Sequence, residues 1–245
     1  MRERGAAMTC PSCGTENSVL NLRCSACGAF IRDRVPAIDL FSALWGMIER
    51  PAATLLRYAR SEQKNYVHLL FALTGPLLVA VLLSVLRAGD RDMAFGYVLL
   101  SVVLFGPFAG LILFSMVSWL AAAGLRVFLG LRLGYRLAAG YVAYASAPLM
   151  WASVIILPLQ LGVFGITLFS SNPAAWSLQP VPFWLLAGLD GVALLWTVLL
   201  MPLGLRAHGI PYGRGFLLPL LTVPPLVLLC AVAGWALLPL FPKTL

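Results

Sequence analysis

Charged residues are so sparse along most of the chain that the gaps between them outline its architecture. Between Lys64 and Arg87 lie 22 residues without Asp, Glu, Lys or Arg. At about 1.5 Å per helical residue, a run of this length crosses roughly 30 Å of hydrocarbon, which predicts a first transmembrane helix over 66–86. Met93–Leu125 is uncharged for 33 residues. It predicts one tilted span over 97–123, kinked by Gly106-Pro107; the run has room for two shorter spans, but no polar loop divides it. Leu137–Leu189 is uncharged for 53 residues, too many for one span. Ser170-Ser171-Asn172-Pro173 and Gln179-Pro180 supply turn residues that split it into spans over 145–169 and 183–205. Gly215–Pro242 predicts the fifth span, over 215–240, with Pro224-Pro225 inside it.

Residues 35–64 follow a different pattern. Leu40, Phe41, Leu44, Trp45, Ile48, Leu55, Leu56 and Tyr58 recur at helical spacing among Glu49, Arg50, Arg57, Arg60 and Glu62. Pro51 is tolerated at a first helical position and predicts the start of a second helix. Two short amphipathic helices result, which either lie on the inner leaflet or pack on the rest of the protein.

Composition supports the membrane reading. The 245 residues are 61% hydrophobic and 11% charged, with a mean hydropathy of +0.92. A soluble domain carries about 25% charged residues. Residues 1–64 hold nine of the 17 Lys and Arg and six of the nine Asp and Glu, so a polar head precedes a membrane body. Orientation follows from the basic residues that flank the spans. With the N-terminus inside, the inner side carries Arg57, Arg60, Lys64, Arg126, Arg132, Arg136, Arg206 and Arg214, against Arg87, Arg91 and Lys243 outside. Five spans then place the C-terminus on the opposite side. Residues 1–30 lack the apolar segment of a signal peptide, so the head is expected to be cytoplasmic.

The head carries the strongest chemical signal. Cys10-Pro-Ser-Cys13-Gly14 and Cys24-Ser-Ala-Cys27-Gly28 form a C-x2-C-x10-C-x2-C pattern with a glycine after each pair. Two thiolates three positions apart grip one ion through a tight turn, and a second pair completes the tetrahedron that Zn2+ prefers. Gly14 and Gly28 stand where the chain must turn sharply, with φ > 0 open to them. The expectation is a zinc ribbon over 1–34 holding one structural Zn2+ through Cys10, Cys13, Cys24 and Cys27. Four sulfur ligands leave no open coordination position for catalysis. Competing readings are two disulfides, which need an oxidising compartment, or a redox pair. The ribbon's charge balance is only +2, from Arg2, Arg4, Arg23, Arg32 and Arg34 against Glu3, Glu16 and Asp33. A nucleic-acid face shows a basic cluster, so a protein partner is expected instead. Cys230, in the fifth span, reads as an ordinary buried thiol.

Within the spans Asp190 is the only acidic residue, and an intramembrane carboxylate is a functional candidate. The bland alternative is that it reaches the interface or bonds a neighbouring helix. His68 and His208 read as isolated surface or capping residues. The chain contains no HExxH, GxSxG or P-loop motif and no carboxylate pair, so no enzyme is expected. Gly106-x-x-x-Gly110 and Gly188-x-x-Gly191 are small-residue spacings that permit close helix contact. The leading expectation is a non-enzymatic adaptor or organiser in the lipid membrane. The alternative is a transporter, channel or lipid-handling protein that uses Asp190 and the proline-bearing helices.

The body resembles the Yip1 domain family. The resemblance rests on the order of features over about 39–240: the lead-in Leu40–Arg60 with Pro51; Gly130-Leu-Arg-Leu-Gly134-Tyr135-Arg136; Gly140-Tyr141-Val-Ala-Tyr144-Ala-Ser-Ala-Pro148; Trp196; and Gly204-Leu-Arg-Ala-His-Gly209 through Arg214-Gly215. It implies a five-span membrane protein without catalytic residues, and in eukaryotic members association with Rab-type GTPases. The ribbon resembles those fused to bacterial membrane proteins, which implies a bacterial cytoplasmic membrane.

Overall fold

The computed structural model describes residues 7–18, 21, 23–29, 31, 37–61, 63, 65–91, 94–131 and 133–237. Lys64, Arg132 and Lys243, part of the flanking charge, lie outside the described residues, as do Arg2, Arg4, Arg32, Arg34, Glu62 and the last residues of the fifth predicted span. The fold is an all-α membrane bundle. Strands β1 (Ala7–Thr9) and β2 (Glu16–Ser18) pair antiparallel, with Met8 opposite Asn17. Helices α1 (Leu40–Glu49) and α2 (Pro51–Arg60) follow. Five helical segments are long and apolar enough to cross a membrane: α3 (Val67–Val85), α4 (Phe95–Leu129), α6 (Ala147–Phe169), α7 (Pro180–Arg206) and Tyr212–Gly234, most of which lies in α8 (Leu217–Leu237). Between the second and third lies α5 (Tyr135–Ala145).

Local chemistry sets the boundaries. Asp39 caps α1 by accepting from the Ser42 N–H at 2.8 Å, and Pro51 occupies the first turn of α2. The second span is longer than its uncharged run of 93–125 predicts. Arg126 sits in its last turn, and α4 ends only where Gly130 takes φ 66° and its N–H bonds the Leu125 carbonyl. The third span is a composite. Ala147–Trp151 is α-helical, Ala152–Ile156 is a π-turn, Leu157–Phe164 is α-helical again, and Gly165–Phe169 tightens to a 3-10 turn.

One glycine pair that the sequence singles out is a packing device and the other is not. A Cβ on Gly106 would lie 2.6 Å from Pro76 Cα, one on Gly75 would run into the Gly106 carbonyl oxygen, and one on Gly110 would strike the Phe71 carbonyl oxygen. Here α3 and α4 touch backbone to backbone, and Phe71 stacks on Phe114 with centroids 5.2 Å apart. Around Gly188 and Gly191 nothing lies within 4 Å of an added Cβ, so that spacing makes no helix contact.

The connection between the second and third spans proves to be structured. Every residue of α5 from Ala138 to Ala145 is buried, so its apolar positions show no single face to read as a period. The small residues admit neighbouring aromatics. The Tyr58 ring occupies the space a Cβ on Gly140 would need, and the Tyr141 ring lies 2.8 Å from where a Cβ on Gly204 would be. Tyr58, Tyr141 and Tyr144 are fully buried. Tyr58 lies 6.2 Å from Tyr141 and 4.7 Å from Tyr144, centroid to centroid. Each hydroxyl has a partner: Tyr58 donates to the Arg136 carbonyl at 3.1 Å, Tyr144 to the Asn65 carbonyl at 3.1 Å, and Tyr141 meets His208 Nε2 at 3.0 Å. His208 is therefore not isolated, as its sequence surroundings imply. It is folded back onto α5.

Helices α1 and α2 pack on the bundle through Leu44, Met47, Leu55 and Tyr58, all in its main core. The opposite face of α1 still presents Phe41, Trp45 and Ile48, an apolar stripe suited to lipid. One face of this helix is packed and the other is apolar and exposed.

Two outcomes are expected. Gly106→Leu should lower thermal stability in detergent by about 1–3 kcal/mol or more, as overpacking does, whereas Gly96→Leu, at a position with nothing within 4 Å, should be silent. Burial pushes the His208 imidazole below its ordinary value of 6.5, so the folded chain binds fewer protons there than the unfolded chain. The contribution is complete above the unfolded value of about 6.5 and is lost as pH falls from there through the lower folded value. Melting curves should show a pH-dependent loss on the acid side that shrinks in His208→Gln.

Candidate metal centre and intramembrane polar pair

The four cysteines converge. Their sulfur atoms all lie within 4.8 Å of one another, with Cys10 to Cys27 at 3.7 Å and Cys13 to Cys24 at 3.4 Å. A tetrahedron with metal–sulfur arms of about 2.3 Å has edges of about 3.8 Å, so the donor set and its spacing fit one such ion. The two halves repeat a single turn. In the first, the Gly14 N–H donates to the Cys10 carbonyl and the Cys10 N–H to the Thr15 carbonyl; in the second, Gly28 donates to Cys24 and Cys24 to Ala29, all at 2.8–3.0 Å. Gly14 at φ 73° and Gly28 at φ 72° take the left-handed conformation their positions imply.

The electrostatics favour a cation. The Cys27 and Ala26 N–H groups point at the Cys24 sulfur and lower its pKa to about 6. Thr15 lowers that of Cys13 through its hydroxyl, 3.3 Å from Cys13 Sγ, and its N–H. The Ala29 N–H favours the Cys27 thiolate, but the Cys13 sulfur, burial and the Cys10 and Cys24 sulfurs outweigh it and push Cys27 up to about 12. Thiolates packed this closely repel one another, and a divalent ion at their centre removes that conflict.

Asn17 is a residue that the cysteine spacing does not reveal. Buried on β2, it donates from Nδ2 to the Thr15 carbonyl at 2.8 Å and to Cys24 Sγ at 3.4 Å. Its Oδ1 accepts from the Ser25 N–H at 2.8 Å and from the Ser25 hydroxyl at 3.0 Å. It ties the first turn to the second. The ribbon's small core, Met8, Cys10, Cys24, Ala29 and Ile31, is made of its own residues.

In the membrane body Asp190 has a partner. Gln160 Nε2, on α6, donates to Asp190 Oδ2, on α7, at 2.6 Å. Asp190 Oδ1 is buried without a hydrogen-bond partner among the described residues. The readable signal was complementarity: Gln160 and Asp190 are the one amide and the one acidic residue in the five spanning segments. His68 is exposed at the start of α3. Cys230 is half-buried and lines an apolar groove with Leu82 and Phe105.

Comparison with known protein families, curated proteins and solved structures finds no match to this chain.

Removing the Asn17 carboxamide should loosen the centre without dismantling it. For Asn17→Ala, competition against a chromogenic chelator should report metal affinity reduced about 10–100-fold, the usual effect of losing an outer-shell partner.

Proposed function

We propose that the protein is a membrane-anchored adaptor whose ribbon, closed around one structural Zn2+, presents a rigid surface to a protein partner. The observation that carries this reading is the four-thiol cluster on a module with its own core, placed ahead of a bundle built to cross a membrane. Zinc suits an all-thiolate tetrahedral set. With every ligand position taken by protein sulfur, the ion organises the fold rather than performing chemistry. The exposed tips of the two turns, Pro11-Ser12 and Ser25-Ala26, offer the partner a fixed contour. The ribbon faces the cytoplasm and the membrane is the bacterial cytoplasmic membrane, with the C-terminus on the far side. The positive-inside distribution supports that orientation, as does the need for reduced thiols. The body's kinship is with the Yip1 domain family, on the ordered features of 39–240, and the role is non-enzymatic.

A second reading, a transporter, channel or lipid-handling protein, draws on the Gln160–Asp190 hydrogen bond and the adjoining π-turn, since π-turns are frequent at functional sites.

In-cell crosslinking followed by affinity purification separates the two. The adaptor reading expects a partner captured by the parent chain and lost in Cys10→Ser/Cys13→Ser, with membrane insertion unchanged. A partner retained by that variant refutes it.

A further inference from the structure

Seven serine and threonine side chains are buried among the described residues: Ser61, Thr74, Ser118, Ser146, Ser153, Thr197 and Thr222. Five donate to a backbone carbonyl three or four residues earlier, as Thr74 does to Leu70 and Ser118 to Phe114. Ser153 and Thr197 do not. Each lacks a hydrogen-bond partner among the described residues, although only 4% and 1% of their surfaces are exposed. Ser153 lies in the π-turn Ala152–Ile156.

These two hydroxyls stand in register with the Gln160–Asp190 pair. Helices α6 and α7 are consecutive spans joined by a short connection, so they run antiparallel. Ser153 precedes Gln160 by seven residues and Thr197 follows Asp190 by seven. Seven residues are nearly two α-helical turns, so Thr197 shares the Asp190 face of α7; on α6 the π-turn that holds Ser153 interrupts this period and itself packs against α7. The Gln160–Asp190 hydrogen bond fixes the register, and the equal offsets bring Ser153 level with Thr197, about 10 Å along the helices from it. The seam between α6 and α7 thus carries two polar levels. At one, two hydroxyls are buried and unpartnered; at the other, Asp190 Oδ1 is buried and unpartnered. Neither α6 nor α3, which packs against the π-turn, contains Asp, Glu, Lys or Arg, and the other charged residue of α7 is Arg206 at its end. No cation on these helices stands beside Asp190 to pair with it.

We infer that the α6–α7 seam is a hydrated proton-exchange site, in which bound water bridges Ser153 and Thr197 and gives the Asp190 carboxyl a path for its proton. Buried water takes two to four polar partners; Ser153 and Thr197 supply two at one level, and Asp190 Oδ1 supplies one at the other. In the exchange step the Asp190 Oδ1–H bond breaks as an O–H bond to water forms, and the reverse step returns the proton. Gln160 Nε2 holds Oδ2 throughout. The site uses no residue of the ribbon and does not depend on the adaptor reading.

Infrared spectroscopy of the full-length protein in phosphatidylcholine vesicles, transferred from H2O to D2O, tests it. The carboxylic-acid band assigned by its disappearance in Asp190→Asn should shift on transfer in the parent. In Ser153→Ala/Thr197→Val the shift should be lost, with the helical amide band unchanged in the same spectra. Thr197→Ser, which keeps the hydroxyl, should retain it. Should the double variant misfold, Thr197→Val against Thr197→Ser makes the same comparison. A parent with no such band, a band that does not shift, or a shift indifferent to both hydroxyls overturns the inference.

Discussion

Three tyrosines without exposed surface hold one end of the bundle together. A phenol buried in a membrane protein must find its hydrogen bond inside the protein. Tyr58, Tyr141 and Tyr144 do so by reaching the Arg136 carbonyl, His208 and the Asn65 carbonyl. Burial pushes all three above the ordinary phenol value, Tyr144 to about 12, so they remain neutral donors. The tyrosines and their partners together come from four separate stretches: the amphipathic lead-in, the entry to the first span, the buried helix α5 and the turn after the fourth span. One cluster therefore fixes how α2 is attached to the membrane body.

The ribbon is followed by α1 and α2, which are seated in the core rather than trailing from it. Leu44 and Met47 seat α1 in the bundle while Phe41 and Trp45 are turned outward. Small residues make the arrangement possible. Gly140 and Gly204 leave room for aromatic rings, while Gly75, Gly106 and Gly110 let two helix backbones meet.

The membrane architecture was legible because spans are read from the absence of charge, which needs no tertiary information. The first span was anticipated as 66–86 and observed as Val67–Val85; the fourth as 183–205 and observed as Pro180–Arg206. The cysteine cluster was legible because knuckle spacing is local. What escaped was whatever depends on a distant partner. Helix α5 hides because burial on every side removes its period. Asn17 hides because its role is set by Ser25 and Cys24 across a turn. Gln160 gains its meaning only from Asp190, 30 residues away. Of the two glycine spacings only one is a contact, because a small residue permits an approach but does not choose the partner.

The most direct test of the proposed centre is metal analysis of the purified full-length protein, combined with X-ray absorption at the metal edge. One zinc per chain, with four sulfur neighbours at about 2.3 Å, is the predicted result. Metal-free protein with its cysteines paired as disulfides, or an ion with oxygen or nitrogen neighbours, would contradict it.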